Sequence, residues 1–201
     1  MLAEVVDRAA CVAAFGDWQD PICKHADDLA RYAQVIDVTR PDVVVECGTR
    51  GGHSAAWFAD RGCEVITVDV QPAGPDRPRR DGLTYVSGNS IDAKTYDLVR
   101  GMVAGRRCMV SLDSDHSEAH VRREIELYRE LVTPGCHLVV EDGVIDWLPS
   151  PKPHGCDVYS GSVLAAIEDT VAVDERFVRD VIEGWPSLTT MFPAGWWVRR
   201  G

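Results

Sequence analysis

Three acids stand where this 201-residue chain could hold a cation. Asp113 closes the run Val110-Ser111-Leu112, just ahead of Ser114-Asp115-His116, and the pair Glu141-Asp142 follows Leu138-Val139-Val140. Each apolar run has the length of a buried strand, so each acid is expected at a strand's carboxyl end, the edge where open α/β sheets bind ligands. Acids gathered there without a matching Lys or Arg repel one another unless a hard cation neutralises them, and Mg²⁺ takes oxygen ligands. The first expectation is therefore a divalent metal site on Asp113, Glu141 and Asp142.

The elements that would position these acids alternate between strand and helix patterns. Residues from Leu2 to about Thr39 look helical, broken at Gly16 to Pro21, and form a cap; Pro41 ends it. Strands are predicted at Val43–Cys47, Val65–Val70, Thr84–Val86, Cys108–Leu112 and His137–Val140. Helices are predicted at Ser54–Asp60, Ala93–Val103 and Glu118–Val132, the last because Val121, Ile125, Tyr128 and Val132 share one face. Such alternation implies right-handed βαβ units and a parallel sheet. After Asp142 comes a Pro-rich loop from Leu148 to Gly155, either a substrate lid or a plain connection. A helix near Val163 to Val171 and strands near Phe177 and Trp196 follow. The fold class is α/β: a Rossmann-like, seven-stranded, mostly parallel sheet with helices on both faces. It is one domain, with a cap at 1–40, a core at 41–147 and a lid, helix and hairpin at 148–201.

The first strand feeds a glycine turn, Glu46-Cys47-Gly48-Thr49-Arg50-Gly51-Gly52-His53-Ser54. Glycines allow a tight turn and close approach of a ligand to the backbone. Their spacing is not the G-x-G-x-x-G of nicotinamide enzymes, and Glu46 before the turn would repel a pyrophosphate. It suits a cationic ligand, and S-adenosylmethionine, with a sulfonium, an ammonium and no phosphate, is one. Asp69, closing the second strand, is placed to accept from ribose hydroxyls. The Ser87-Gly88-Asn89-Ser90 turn could flank an adenine.

A formal charge of −11 argues against nucleic acid, whose phosphates are bound by Lys and Arg. Seven scattered cysteines with no C-x-x-C pair suit a reducing cytoplasm. The amino-terminal residues lack the order of a signal peptide, and no stretch is read as crossing a membrane.

These residues resemble class I S-adenosylmethionine-dependent methyltransferases, and within them the cephalosporin hydroxylase and rhamnosyl O-methyltransferase family. The resemblance runs through Trp18, Lys24, Asp28-Leu29, Pro41-Asp42, the 46–55 turn, Thr67-Val68-Asp69, Leu112-Asp113-Ser114-Asp115-His116-Ser117, His120-Val121, Val140-Glu141-Asp142 and Pro193-x-Gly195. It implies bound S-adenosylmethionine at Glu46, Gly48, Gly52, Ser54, Asp69, Ser90 and Asp113. It also implies Mg²⁺, or another hard divalent cation, on Asp113, Glu141 and Asp142. Sugar O-methyltransferases with this acid spacing have a histidine three residues after the first metal acid as the proposed base, a position held here by His116.

The implied activity is O-methylation of a hydroxyl on a small metabolite, a sugar or natural-product scaffold, by a homo-oligomer. Two other readings stand beside it: a non-catalytic, S-adenosylmethionine-binding accessory protein and a metal-dependent hydroxylase. Asp115 could ligate metal, orient His116 or cap the next helix. Lys24 and Trp18 could close over the cofactor or be ordinary surface contacts. Trp147 could stack on substrate or pack in the core.

Overall fold

The sheet forms around strands whose side chains have nowhere to go but inward. In the computed structural model, which describes residues 6–17, 21–180 and 189–201, β1 (Val43–Cys47), β4 (Cys108–Leu112) and β5 (His137–Val140) are buried at every position. Continuous burial is the mark of central parallel strands covered on both sides. β2 (Glu64–Asp69) and β3 (Leu83–Ser87) complete the parallel part, and β6 (Phe177–Arg179) and β7 (Trp196–Arg199) add an antiparallel end. The strand order is β3-β2-β1-β4-β5-β7-β6. The chain thus runs outward from β1 in both directions, and the crevice between β1 and β4 is the switch point where such sheets bind ligands.

The helices are α1 (Arg8–Ala14), α2 (Ala26–Thr39), α3 (His53–Ala59), α4 (Ala93–Val103), α5 (Glu118–Tyr128) and α6 (Val163–Glu168). The expected cap is therefore two helices joined by a long connection; its start at Leu2 and Trp18 lie outside the described residues. α5 stops at Tyr128, short of the expected Val132. Leu131 N–H bonds the Tyr128 carbonyl in a tightened last turn, and Pro134 follows directly. Leu131 and Val132 are buried all the same, so the apolar period continued past the helix that it predicted.

α6 likewise ends at Glu168, and a separate 3₁₀ turn covers Val171–Val173. The Pro-rich connection is not featureless: 3₁₀ turns occupy Gly143–Trp147 and Pro153–Val158. Trp196 and Trp197 are both buried, Trp196 with its ring centroid 4.7 Å from that of Tyr32 on α2. No helix among the described residues is long and apolar enough to cross a membrane.

Candidate metal centre and cofactor cleft

The parallel register sets the site. Cys47 pairs with Leu112 and Val68, and Leu112 with Val140, so the residues just beyond these strand ends are neighbours. Gly48 lies against the next strand's exit: a Cβ there would stand 1.8 Å from the Asp113 carbonyl oxygen, and its φ of +98° is glycine's own region. Asp113 N–H donates to the Cys47 carbonyl at 2.8 Å, which pins the acid beside the glycine turn.

Asp113, His116 and Asp142 each bring one donor atom to within 4.8 Å of the others. His116 Nε2 lies 3.4 Å from Asp142 Oδ2 and 3.8 Å from Asp113 Oδ1. Burial pushes the Asp142 carboxyl up to about 6, against the pull of His116. Two carboxylates, with an imidazole beside them, suit a hard divalent cation, so these residues fit such an ion. Asp142 sits in the left-handed region at φ 58°, opening a 3₁₀ turn that carries the chain away from the sheet edge.

Glu141 faces different company. It is 2% exposed; Oε1 accepts from the Tyr32 hydroxyl at 2.8 Å and the Ser111 hydroxyl at 2.6 Å, and Oε2 accepts from Lys24 Nζ at 2.6 Å. Lys24 Nζ also donates to Asp113 Oδ2 at 2.8 Å. The premise that these acids have no matching cation is therefore corrected: Lys24, 89 and 117 residues away in sequence, is that cation. Nor is it a surface contact, being 2% exposed. Burial lowers the Lys24 ammonium, but Asp113, Glu141 and Glu46 outweigh it and hold it above the ordinary lysine value. Burial and Asp113 push Glu141 upward, while Lys24 and Ser111 draw it down.

The cofactor side is built from the same edge. Glu46 is fully buried; Oε1 accepts from the Ser54 hydroxyl at 2.5 Å and Oε2 from Thr67 at 2.6 Å. Both oxygens brace the turn, tying α3 to β2. Asp69 accepts from the backbone N–H of Arg50 and of Gln71, each at 2.8 Å, and each oxygen keeps a further acceptor site. Ser90, buried, has its hydroxyl 3.2 Å from His120 Nε2, which lies 3.1 Å from the Ser114 hydroxyl. His120 is thus drawn into the cleft wall by β4 and α5 together. Gly52 lies under Tyr85, whose hydroxyl a Cβ would meet at 2.6 Å.

Asp115 is exposed and accepts from Ser117 N–H at 2.8 Å, a local turn just ahead of α5, whose own N-cap is Ser117. Tyr159, from the Pro-rich connection, sets its ring edge-on to His116 at 5.0 Å. Trp147 is half-buried against the core, with Arg8 over its ring at 5.4 Å. Sequence patterns gave no reason to single out Tyr32, Ser111 or Tyr159.

The chain is similar to several known proteins. A rhamnosyl O-methyltransferase of Mycobacterium tuberculosis is 32% identical over 182 residues, covering 84% of this chain and 73% of that protein. A Mycobacterium leprae rhamnosyl O-methyltransferase is 28% identical over 152 residues, 71% of this chain and 66% of its own. Among solved structures, CmcI with Mg and SAM superposes with a TM-score of 0.57 at 21% identity, over 89% of this chain and 73% of that one. MycE, from mycinamycin biosynthesis, with Mg and SAH, gives 0.59 at 19% identity over 86% of this chain; the chain spans about half of MycE, 49%. These two likenesses establish the fold. Residues 13–200 match the family described as rhamnosyl O-methyltransferase/CmcI, and with that match the chain belongs to this family.

Proposed function

We propose that the chain methylates a hydroxyl of a small metabolite, a sugar or a natural-product scaffold, with a divalent cation at the acid cluster. The enzyme class follows from the family: an O-methyltransferase using S-adenosylmethionine. The observation that carries the metal reading is the convergence of Asp113, His116 and Asp142 beside the glycine turn. Once bound, the cation would make an acceptor hydroxyl easier to deprotonate and hold it in place, and S-adenosylmethionine would supply the methyl group.

The chain's own residues do the rest. Asp113 and Asp142 hold the cation, with Glu141 alongside. Asp69 takes the ribose hydroxyls, and Gly48 and Ser90 line the cleft. His116, beside the cation rather than bound to it, would accept the acceptor's proton. Tyr159 packs on that imidazole, fixing its plane and shielding it from water. The free cysteines suit a reducing cytoplasm, and we read the working form as a homo-oligomer.

Calorimetric titration with S-adenosylmethionine, with Mg²⁺ and after chelation, tests the reading. Binding in at least one condition, followed by metal-dependent methyl transfer to hydroxylated sugars, is expected. Binding without transfer to any acceptor would favour an accessory role, and no binding by the folded protein would overturn the assignment.

A further inference from the structure

Lys24 is the one ammonium in the acid cluster among the described residues, and its setting decides what it does when a metal arrives. It stands one residue before the cap of α2, 2% exposed, with Asp113 Oδ2 at 2.8 Å and Glu141 Oε2 at 2.6 Å. The ring of Phe192 lies 5.9 Å away. Two fates are open to such a lysine: it yields its carboxylates to the incoming ion, or it keeps them. Yielding would strand a buried ammonium without its partners, an unfavourable state. The charges agree. Asp113, Glu141, Asp142 and the Glu46 carboxyl that also acts on Lys24 outnumber the one ammonium, so the cluster can take a divalent ion with the lysine in place.

We propose that Lys24 is a positioning residue of the metal site, keeping both ion pairs when the divalent cation is bound. This rests on the metal reading above. Lys24 occupies one oxygen of Asp113 and one lone pair of Glu141 Oε2. The two hydroxyls of Tyr32 and Ser111 fill Glu141 Oε1. Neither acid can then embrace the ion with both oxygens. Asp113 offers Oδ1, the atom that faces His116, and Glu141 offers at most the remaining lone pair of Oε2. Coordination positions are thereby left for the acceptor rather than filled by bidentate protein carboxylates. A second consequence is mechanical: the cap is fastened directly to the metal's own ligands, so the entrance to the cleft and the ion are set by one side chain.

The test is titration with Mn²⁺, followed by electron paramagnetic resonance of free and bound ion, on wild type and on Lys24→Met, Asp142→Asn and Asp28→Asn. Outer carboxylate partners of metal ligands typically set affinity by about 10–100-fold. Lys24→Met removes a positive charge and frees an oxygen on each acid, so it is expected to bind Mn²⁺ more tightly, by about tenfold or more, with an altered bound spectrum from the changed carboxylate mode. Asp28→Asn weakens the same helix's anchor on Thr190 and Met191, keeping one acceptor oxygen of two, without touching the cluster, and it is expected to bind as wild type does. A change in that control matching Lys24→Met in affinity and spectrum would reduce Lys24 to holding the cap, and overturn the inference. So would a folded Lys24→Met whose affinity and bound spectrum both match wild type, which would make the lysine a bystander, or one that binds more tightly with an unchanged spectrum, which would mean that the lysine had already yielded its carboxylates. If Lys24→Met does not fold, Lys24→Gln, which keeps an amide donor in the same pocket, carries the same expectation. Absence of binding in wild type and Asp142→Asn alike would instead remove the metal reading itself, and this inference with it.

Discussion

His116 is held by three contacts that no spacing rule contains. Its Nε2 lies between Asp113 and Asp142, and its ring meets the edge of Tyr159. A base so held contributes about 10²–10⁴ to rate in characterised enzymes. Replacing His116 by Gln is expected to lower kcat by about 100-fold or more while leaving the calorimetric S-adenosylmethionine titration unchanged. Loss of cofactor binding with kcat per bound enzyme preserved would remove His116 from the chemistry. At the same scale, the motif residues divide by what holds them. Asp113, Asp142 and Asp69 keep open acceptor capacity for a ligand, whereas Glu46 is fully buried with its two oxygens on Ser54 and Thr67. Its contribution to the cleft is to hold the turn's shape and to add a buried acid behind it.

Among the elements, α2 departs most from a simple amphipathic reading. The face that it and the preceding turn bury carries Lys24, Asp28, Arg31 and Tyr32, each with a polar partner inside the protein. Lys24 and Tyr32 reach the Glu141 carboxylate; Asp28 holds Thr190 and Met191; Arg31 donates to the Asp180 carbonyl. The helix is a polar rivet between the acid cluster and the carboxyl-terminal segment. Burial pushes the Asp28 carboxyl up to about 6, against the pull of Thr190 and the Met191 N–H. Between the ordinary carboxylate value near 3.8 and 6, the folded protein keeps a proton that the unfolded chain has released. That stabilisation is complete below 3.8 and lost as pH rises through 6. Two units correspond to about 3 kcal/mol. Asp28→Asn lacks this titration, so thermal melts from pH 4 to 7 should show the variant losing ground to wild type on acidification. A constant offset across that range would mean that Asp28 does not titrate there.

The whole molecule is one sheet wrapped tightly enough to hide nearly all its thiols. All seven cysteines are free, six are buried, and Cys23, in the connection ahead of α2, is partly open. Ellman's reagent should therefore find about one fast thiol in the native protein and seven after denaturation in urea. Several fast native thiols would show that the strands carrying Cys47, Cys108 and Cys136 open readily. The same wrapping closes the fold's far end, where β7 pairs antiparallel with both β5 and β6.

What the sequence determined by itself is what local chemistry and period can encode. Apolar runs of four to six residues placed β1, β2, β4 and β5 to within a residue, because a strand buried on both faces leaves an uninterrupted signature. Acids directly after those runs had to emerge at one sheet edge, so Glu46, Asp69, Asp113 and Glu141-Asp142 were legible as one cleft. Their spacing, with His116, was specific enough to point to the family. Element ends were less legible: α5 and α6 stop before their apolar period does, because buried positions continue into turns that also pack on the core. Only the tertiary structure decided which partners the acids have. Lys24, Tyr32 and Tyr159 come from the cap and the Pro-rich connection, and long-range contact leaves no trace in local composition. A buried ammonium between two carboxylates is settled by packing and charge together, and neither is visible until the chain has folded.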